Sequence, residues 1–163
     1  MFKTLLVAVA VVVTALVGAQ TSAGGRVALL TVSGTWTATD FGAADCVPVG
    51  DSAVLFKCDT TGFKSVYDGS LEGDSIVDFT STIDCQAGIT YGSGVERFAG
   101  SIDGVGSGSL TWRISFFSAF DCTTGGVSGF RALAPIQSGT GYLTRVRGTL
   151  LFDDVSYRGV LRG

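Results

Sequence analysis

"YDGSLEGDSIVDFTSTIDC", residues 67–85, decides the fold. Its odd positions are Tyr67, Gly69, Leu71, Gly73, Ser75, Val77, Phe79, Ser81, Ile83 and Cys85. Its even positions are Asp68, Ser70, Glu72, Asp74, Ile76, Asp78, Thr80, Thr82 and Asp84. Successive side chains of a strand point to opposite faces. One face is therefore mostly apolar and the other carries five carboxylates. That pattern predicts a half-buried antiparallel strand, not a strand of a parallel sheet covered on both sides. Gly69 and Gly73 predict bends within it, because glycine has no side chain to pack and tolerates sharp curvature.

The same alternation runs outward from this stretch. In residues 109–122, Leu110, Trp112, Ile114, Phe116, Phe120 and Cys122 share one face, with Arg113, Ser115 and Asp121 on the other. Near the C-terminus Val146, Leu150 and Phe152 point inward, followed by Val155, Tyr157 and Leu161, with a two-residue turn at Asp153-Asp154. Beyond the first residues, no apolar stripe keeps a 3.6-residue period for three turns. Eight strands are predicted, at 26–39, 52–58, 63–84, 93–102, 109–122, 129–136, 141–152 and 155–162. One-sided strands with no helix to cover them must bury their apolar faces against one another. The expected fold is all-β, with the sheet closed on itself or folded into a sandwich; closed, it is an eight-stranded antiparallel β-barrel whose lumen is filled by side chains or holds one small ligand.

The N-terminal segment lies outside that fold. Lys3 is followed by an apolar run from Leu5 to Val17, the length of a signal-peptide core and short for a membrane span. Residues 1–19 read as a signal peptide cleaved before Gln20, with Ala23 marking a second possible site and an uncleaved anchor as the alternative. Removing 19 of 163 residues leaves 144, one domain spanning 20–163. Losing Lys3 leaves 10 basic and 14 acidic residues, a net charge of −4, so nothing global favours nucleic acid. No second long apolar run exists, so no membrane association is expected after cleavage. The expected location is secreted, extracellular or periplasmic.

Four cysteines in an exported chain predict two disulfides. If the strands ending at Cys85 and Cys122 run in the same direction, both sulfurs reach one rim and staple two strands across a third. Cys46 and Cys58 are left to clasp the first long loop. The alternative, zinc, lacks close cysteine spacing and any histidine, so no metal and no cofactor are expected.

"SGTGYLTRVRG", residues 138–148, resembles the G-T-G-x-(L/F)-x-x-x-R-G segment of the dirigent and allene-oxide-cyclase-like barrels. "YDGSLEGD" and "ERFAGSIDGVGSG" are similar to exported bacterial members of that superfamily, most without an assigned activity. The resemblance covers residues 65–150 and implies an eight-stranded antiparallel barrel. Plant enzymes of the superfamily cyclise an unsaturated fatty-acid epoxide, and dirigent proteins steer radical coupling of phenols. None of their catalytic residues maps onto this chain, and a barrel can be shared without its chemistry.

The chain has no histidine, which removes Ser-His-Asp and Cys-His catalysis. Glu96 shares a face with Phe98 and Ile102, so it should point inward near a rim. Buried, it would have a raised pKa and could serve as a general acid or base; otherwise it caps backbone donors or pairs with an arginine. Arg97 should face solvent. Trp36, Tyr67, Phe79, Phe98, Trp112, Phe116, Tyr142 and Tyr157, with Glu96 and Tyr91, are candidates to line a pocket for an apolar or phenolic ligand; otherwise they are core. Arg145, Arg147, Arg158 and Arg162 form an outer-face basic cluster, with Arg145 opposite Arg162 across the expected turn. Three functions follow: a secreted barrel binding a small hydrophobic ligand, an oligomerising structural module with a filled barrel, or a cyclase or isomerase using Glu96.

Overall fold

The structure is a computed structural model and describes residues 28–163. The expected signal peptide and its cleavage sites lie outside the described residues. Nine strands form one antiparallel sheet: β1 (Leu29–Asp40), β2 (Ala43–Pro48), β3 (Leu55–Gly69), β4 (Leu71–Asp84), β5 (Ile89–Ile102), β6 (Gly106–Asp121), β7 (Gly126–Gly139), β8 (Arg147–Asp153) and β9 (Ser156–Arg162). The first half of β1 pairs with β9, and its second half pairs with β3. That double pairing closes eight strands into a ring, and β2 adds to the upper part of β3.

Residues 63–84 are not one strand. The chain reverses after Gly69, which adopts φ +109°, a backbone state that favours glycine. Alternation could not reveal the reversal. The hairpin is centred on Ser70, so Tyr67 faces Gly73 and odd positions stay on the inner face in both strands. Residues 52–58 divide between a turn and the start of β3, and β2 at 43–48 is an additional strand. Within β3 a bulge between Thr60 and Phe63 shifts the inward set from even to odd positions. The freed Gly62 N–H donates to Asp78 Oδ1 at 2.9 Å.

The C-terminal hairpin differs from expectation by two residues of register. Phe152 pairs with Tyr157, so the turn holds four residues, Asp153 to Ser156, and Val155 is 65% exposed rather than inward. Arg147, not Arg145, faces Arg162, and Arg158 faces Leu151. Residues 141–146 are not strand: Gly141–Leu143 forms a 3-10 turn closing the bottom of the ring, with Leu143 fully buried. The glycine-rich motif at 138–148 thus serves a turn, and a Cβ on Gly139 would sit 2.2 Å from the Leu143 carbonyl oxygen.

The two disulfides join the cysteines in the expected pairs. Cys85–Cys122 links the upper ends of β4 and β6 across β5, with Cα atoms 5.6 Å apart. Cys46–Cys58 joins directly opposed residues of β2 and β3 rather than clasping an irregular loop. The bonds fit an oxidising extracellular or periplasmic setting. Among the described residues no helix is long and apolar enough to cross a membrane.

Inside the ring the core is layered. Leu71, Ile102, Leu110, Leu143 and Leu161 fill the lower end, and Tyr67, Phe98, Trp112 and Tyr157 fill the middle. Tyr157 ties the seam from within. Its hydroxyl accepts the Leu71 N–H at 2.7 Å and lies 3.2 Å from the Leu71 carbonyl oxygen, to which it can donate.

Candidate functional site

Glu96 points inward, as its strand parity requires, and is 3% exposed. It sits in the middle of the ring, not near a rim, between Val77 on β4 and Trp112 on β6. It neither caps backbone nor pairs with arginine. Three side-chain donors from three strands surround it. The Tyr67 hydroxyl donates to Oε1 at 2.6 Å and the Ser75 hydroxyl at 2.5 Å, while the Trp112 indole N–H donates to Oε2 at 2.9 Å.

No cation balances this carboxyl, because every described lysine and arginine is exposed. Burial pushes its pKa up by penalising the charged form, and the three donors oppose that rise without cancelling it. The Tyr67 phenol is raised well above its ordinary value, first by burial and then by the neighbouring carboxylate. A protonated Glu96 needs an acceptor. The indole only donates, so the Tyr67 or Ser75 hydroxyl must turn to accept. The cluster lies inside packed aromatics: Phe98 stacks on Trp112 at 5.9 Å, and Tyr67 meets both edge-on.

Above this layer the packing opens. Trp36, Phe63, Phe79, Phe116 and Phe130 all point inward but remain half-buried. They form a continuous aromatic chain around the upper end, with ring centroids 6.1 Å apart for Phe63–Phe79, 5.3 Å for Phe79–Phe116, 6.0 Å for Phe116–Phe130 and 5.5 Å for Phe130–Trp36. Glycines on β5 make room for them. A Cβ on Gly94 would sit 2.5 Å from the Phe79 Cβ, and one on Gly92 would meet the Phe116 ring at 2.8 Å. Beyond the aromatics, toward the Cys85–Cys122 rim, lie buried hydroxyls of Thr60, Ser81, Thr90 and Ser118. The Ser118 Oγ has no hydrogen-bond partner among the described residues.

The structure therefore divides the expected pocket residues. Tyr67, Glu96, Phe98, Trp112 and Tyr157 come together as a packed middle layer, whereas Trp36, Phe79 and Phe116 line the half-open mouth. Tyr142 belongs to neither: it is 78% exposed and its ring covers Gly106 from outside. Tyr91 faces solvent. Arg97 faces solvent as expected and pairs with Asp78 at 2.6 Å. Arg145, Arg147, Arg158 and Arg162 are all exposed. Arg147 avoids Arg162 by donating to the carbonyls of Thr144 and Val146 at 3.0 and 2.7 Å. Ser75, Phe63, Phe130 and Ser118 escaped sequence reasoning. Ser75 and Ser118 stand on inward faces already traced, as polar exceptions among apolar neighbours, and that was the available signal.

No family model matches the sequence, and no curated protein matches it significantly. Among solved structures, the chain is similar to a protein of unknown function from the DUF3224 family of Shewanella oneidensis MR-1, at 17% identity and a TM-score of 0.52. The match covers 82% of this chain and 96% of that one, and it speaks to the fold alone.

Proposed function

We propose that this protein is an exported barrel of the allene-oxide-cyclase-like type that binds a small apolar or phenolic ligand at its aromatic mouth. The observation that carries the proposal is the half-buried chain Phe63–Phe79–Phe116–Phe130–Trp36 above a fully packed floor. Aromatic rings prefer edge-to-face and offset contacts with other rings, and these five present such edges and faces at one site. Ser118 supplies a buried hydroxyl whose hydrogen bond a phenol can complete. The eight-strand closure supports the barrel type, and the disulfides support export.

The test uses 2-naphthol as probe and the two tryptophans as reporters. In a Trp112→Phe background, emission from Trp36 at the mouth should be quenched saturably. In a Trp36→Phe background the buried Trp112 should respond far less. Ser118→Ala should weaken binding roughly fivefold, the value of one ordinary hydrogen bond, and Phe116→Ala by more. Equal quenching of both tryptophans, or binding indifferent to both substitutions, overturns the mouth as the site.

A second reading, a structural module with a filled ring, draws on the packed middle layer. In that case native mass spectrometry should show a bare oligomer and 2-naphthol should not bind. The cyclase reading ranks third, because Glu96 is walled in by its own hydrogen-bond partners and by Phe98.

A further inference from the structure

The outer surface is electrically divided. β3 and β4 carry Asp59, Asp68, Glu72, Asp74, Asp78 and Asp84 against Lys57 and Lys64, whereas the exposed charges along β6 to β9 are dominated by arginine. Among the described residues the ion pairs are Lys64–Asp40 and Arg97–Asp78, so neither Arg131 nor Arg158 sits in one.

These two arginines flank a groove of about 570 Å³ on the outer face of β6–β9, within the usual size range of small-molecule sites. The register fixes its layout. One row runs Ser115, Leu133, Leu151, Arg158 across four strands, and the next runs Phe117, Arg131, Asp153. Leu133 is 49% exposed, Leu151 42% and Phe117 49%. An apolar floor thus lies between two guanidinium groups two strands apart, a span of about 10 Å across the sheet. Both side chains are long enough to converge on one head group. The β6–β7 pairing changes register on both sides of this patch, between Thr111 and Trp112 and between Phe117 and Ala119. Such bulges bend and twist a sheet, which accounts for a concavity on an outer face. Asp153 faces Arg131 across β7–β8 and feels its charge, but its carboxylate accepts from the Ser156 N–H and hydroxyl at 3.0 and 2.6 Å rather than from the guanidinium, which donates one N–H to the Phe130 carbonyl at 2.9 Å.

We infer that this groove is a second binding site, distinct from the aromatic mouth, for an amphipathic anion. Its apolar body lies on Leu133, Leu151 and Phe117, and its carboxylate or phosphate head sits between Arg131 and Arg158. Charge complementarity and the apolar floor together select this class: a neutral lipid leaves the cations unused, and a small inorganic anion leaves the leucines exposed.

The experiment is an amide-resolved NMR titration of the disulfide-intact mature protein with decanoate and, separately, decyl phosphate, each below its micelle concentration. Decyl maltoside and decyltrimethylammonium serve as head-group controls. Shifts should concentrate on residues 115, 117, 131, 133, 151 and 158, should weaken at high salt, and should be absent with the cationic amphiphile. The Arg131→Gln/Arg158→Gln variant alters exposed side chains only, so its spectrum reports an intact fold directly, and its affinity should drop at least about tenfold, as loss of charge-assisted contacts requires. Whichever of decanoate and decyl phosphate binds more tightly identifies the head chemistry. Four outcomes overturn the inference: no shifts with either anion, shifts at the mouth residues instead, equal affinity for the variant, or binding of decyl maltoside as tight as that of the anions. Concentration-dependent broadening of the same amides without any amphiphile would assign the groove to a second copy of the chain and also overturn it.

Discussion

Glu96→Gln examines the buried carboxyl as a proton-linked group. The substitution keeps the side chain's size. Its amide oxygen can take the place of Oε2 and accept the Trp112 indole N–H, while its NH2 replaces Oε1 and donates to the Tyr67 and Ser75 hydroxyls, which rotate to accept. Glutamine therefore copies the protonated acid. Near pH 4 the two proteins should differ by no more than about 1 kcal/mol, the net value of one neutral hydrogen bond. Burial raises the Glu96 pKa above its ordinary 4.5. Below the ordinary value the folded and unfolded chains both carry the proton. Between that value and the raised one, the folded chain keeps a proton that the unfolded chain has released. Wild-type stability must then fall as pH rises, by about 1.4 kcal/mol per pH unit, until the folded pKa is passed. Glu96→Gln has no such loss.

The advantage of the variant should thus be absent at pH 4, climb from about pH 4.5, and then level off. Urea denaturation with disulfides intact, at intervals from pH 4 to 8, measures it. Taking the difference between the two proteins cancels the remaining carboxylates, which are common to both. A flat difference would refute the reasoning, and so would one of opposite slope. A flat difference would mean that the three donors balance desolvation, and an opposite slope that they outweigh it. Glu96→Ala supplies the contrast. It leaves the Tyr67, Ser75 and Trp112 donors facing a cavity, and each unpaired buried donor costs about 1–3 kcal/mol, so this variant should be destabilised at every pH.

Removing Cys85–Cys122 as the double serine variant should cost roughly 3–4 kcal/mol by chain entropy, since the bond closes a separation of 37 residues; Cys46–Cys58, with a separation of 12, should cost less, and denaturant midpoints give the ordering. Tyr157→Phe leaves the Leu71 N–H without its partner at the seam and should lose about 1–3 kcal/mol, with faster amide exchange at Leu71. Arg97→Ala breaks an ion pair whose partners are 55% and 42% exposed, so its effect should stay below about 1 kcal/mol and shrink further in salt.

Which parts of this fold were legible follows from what strand parity can and cannot carry. Parity placed Glu96, Phe98, Trp112 and Phe116 on inner faces, because each sits mid-strand with unbroken alternation on both sides. It could not show the reversal at Gly69, since a hairpin centred on one residue leaves the same parity inside in both arms. It misplaced the C-terminal arginines because parity is blind to turn length: a turn of four residues instead of two slides Arg147 opposite Arg162 and puts Val155 in the turn, while Leu150, Phe152, Tyr157 and Leu161 stay inward. Tyr142 failed for a different reason. It lies in a 3-10 turn, where the period-two rule does not hold.

The site depends on the information that parity lacks. Tyr67, Ser75 and Trp112 reach Glu96 only because β3, β4, β5 and β6 stack in one particular register, and Val77 and Trp112 are its direct neighbours in that register. A serine or tyrosine on an inward face signals that a polar partner must exist, since buried donors are nearly always satisfied. It does not say on which strand that partner lies. The same holds outside the ring. Leu133 and Leu151 read as stray exposed apolar residues, and Arg131 and Arg158 as solvated charges. Register places them side by side, and only then does the patch acquire the combination of floor and cation that a ligand can recognise.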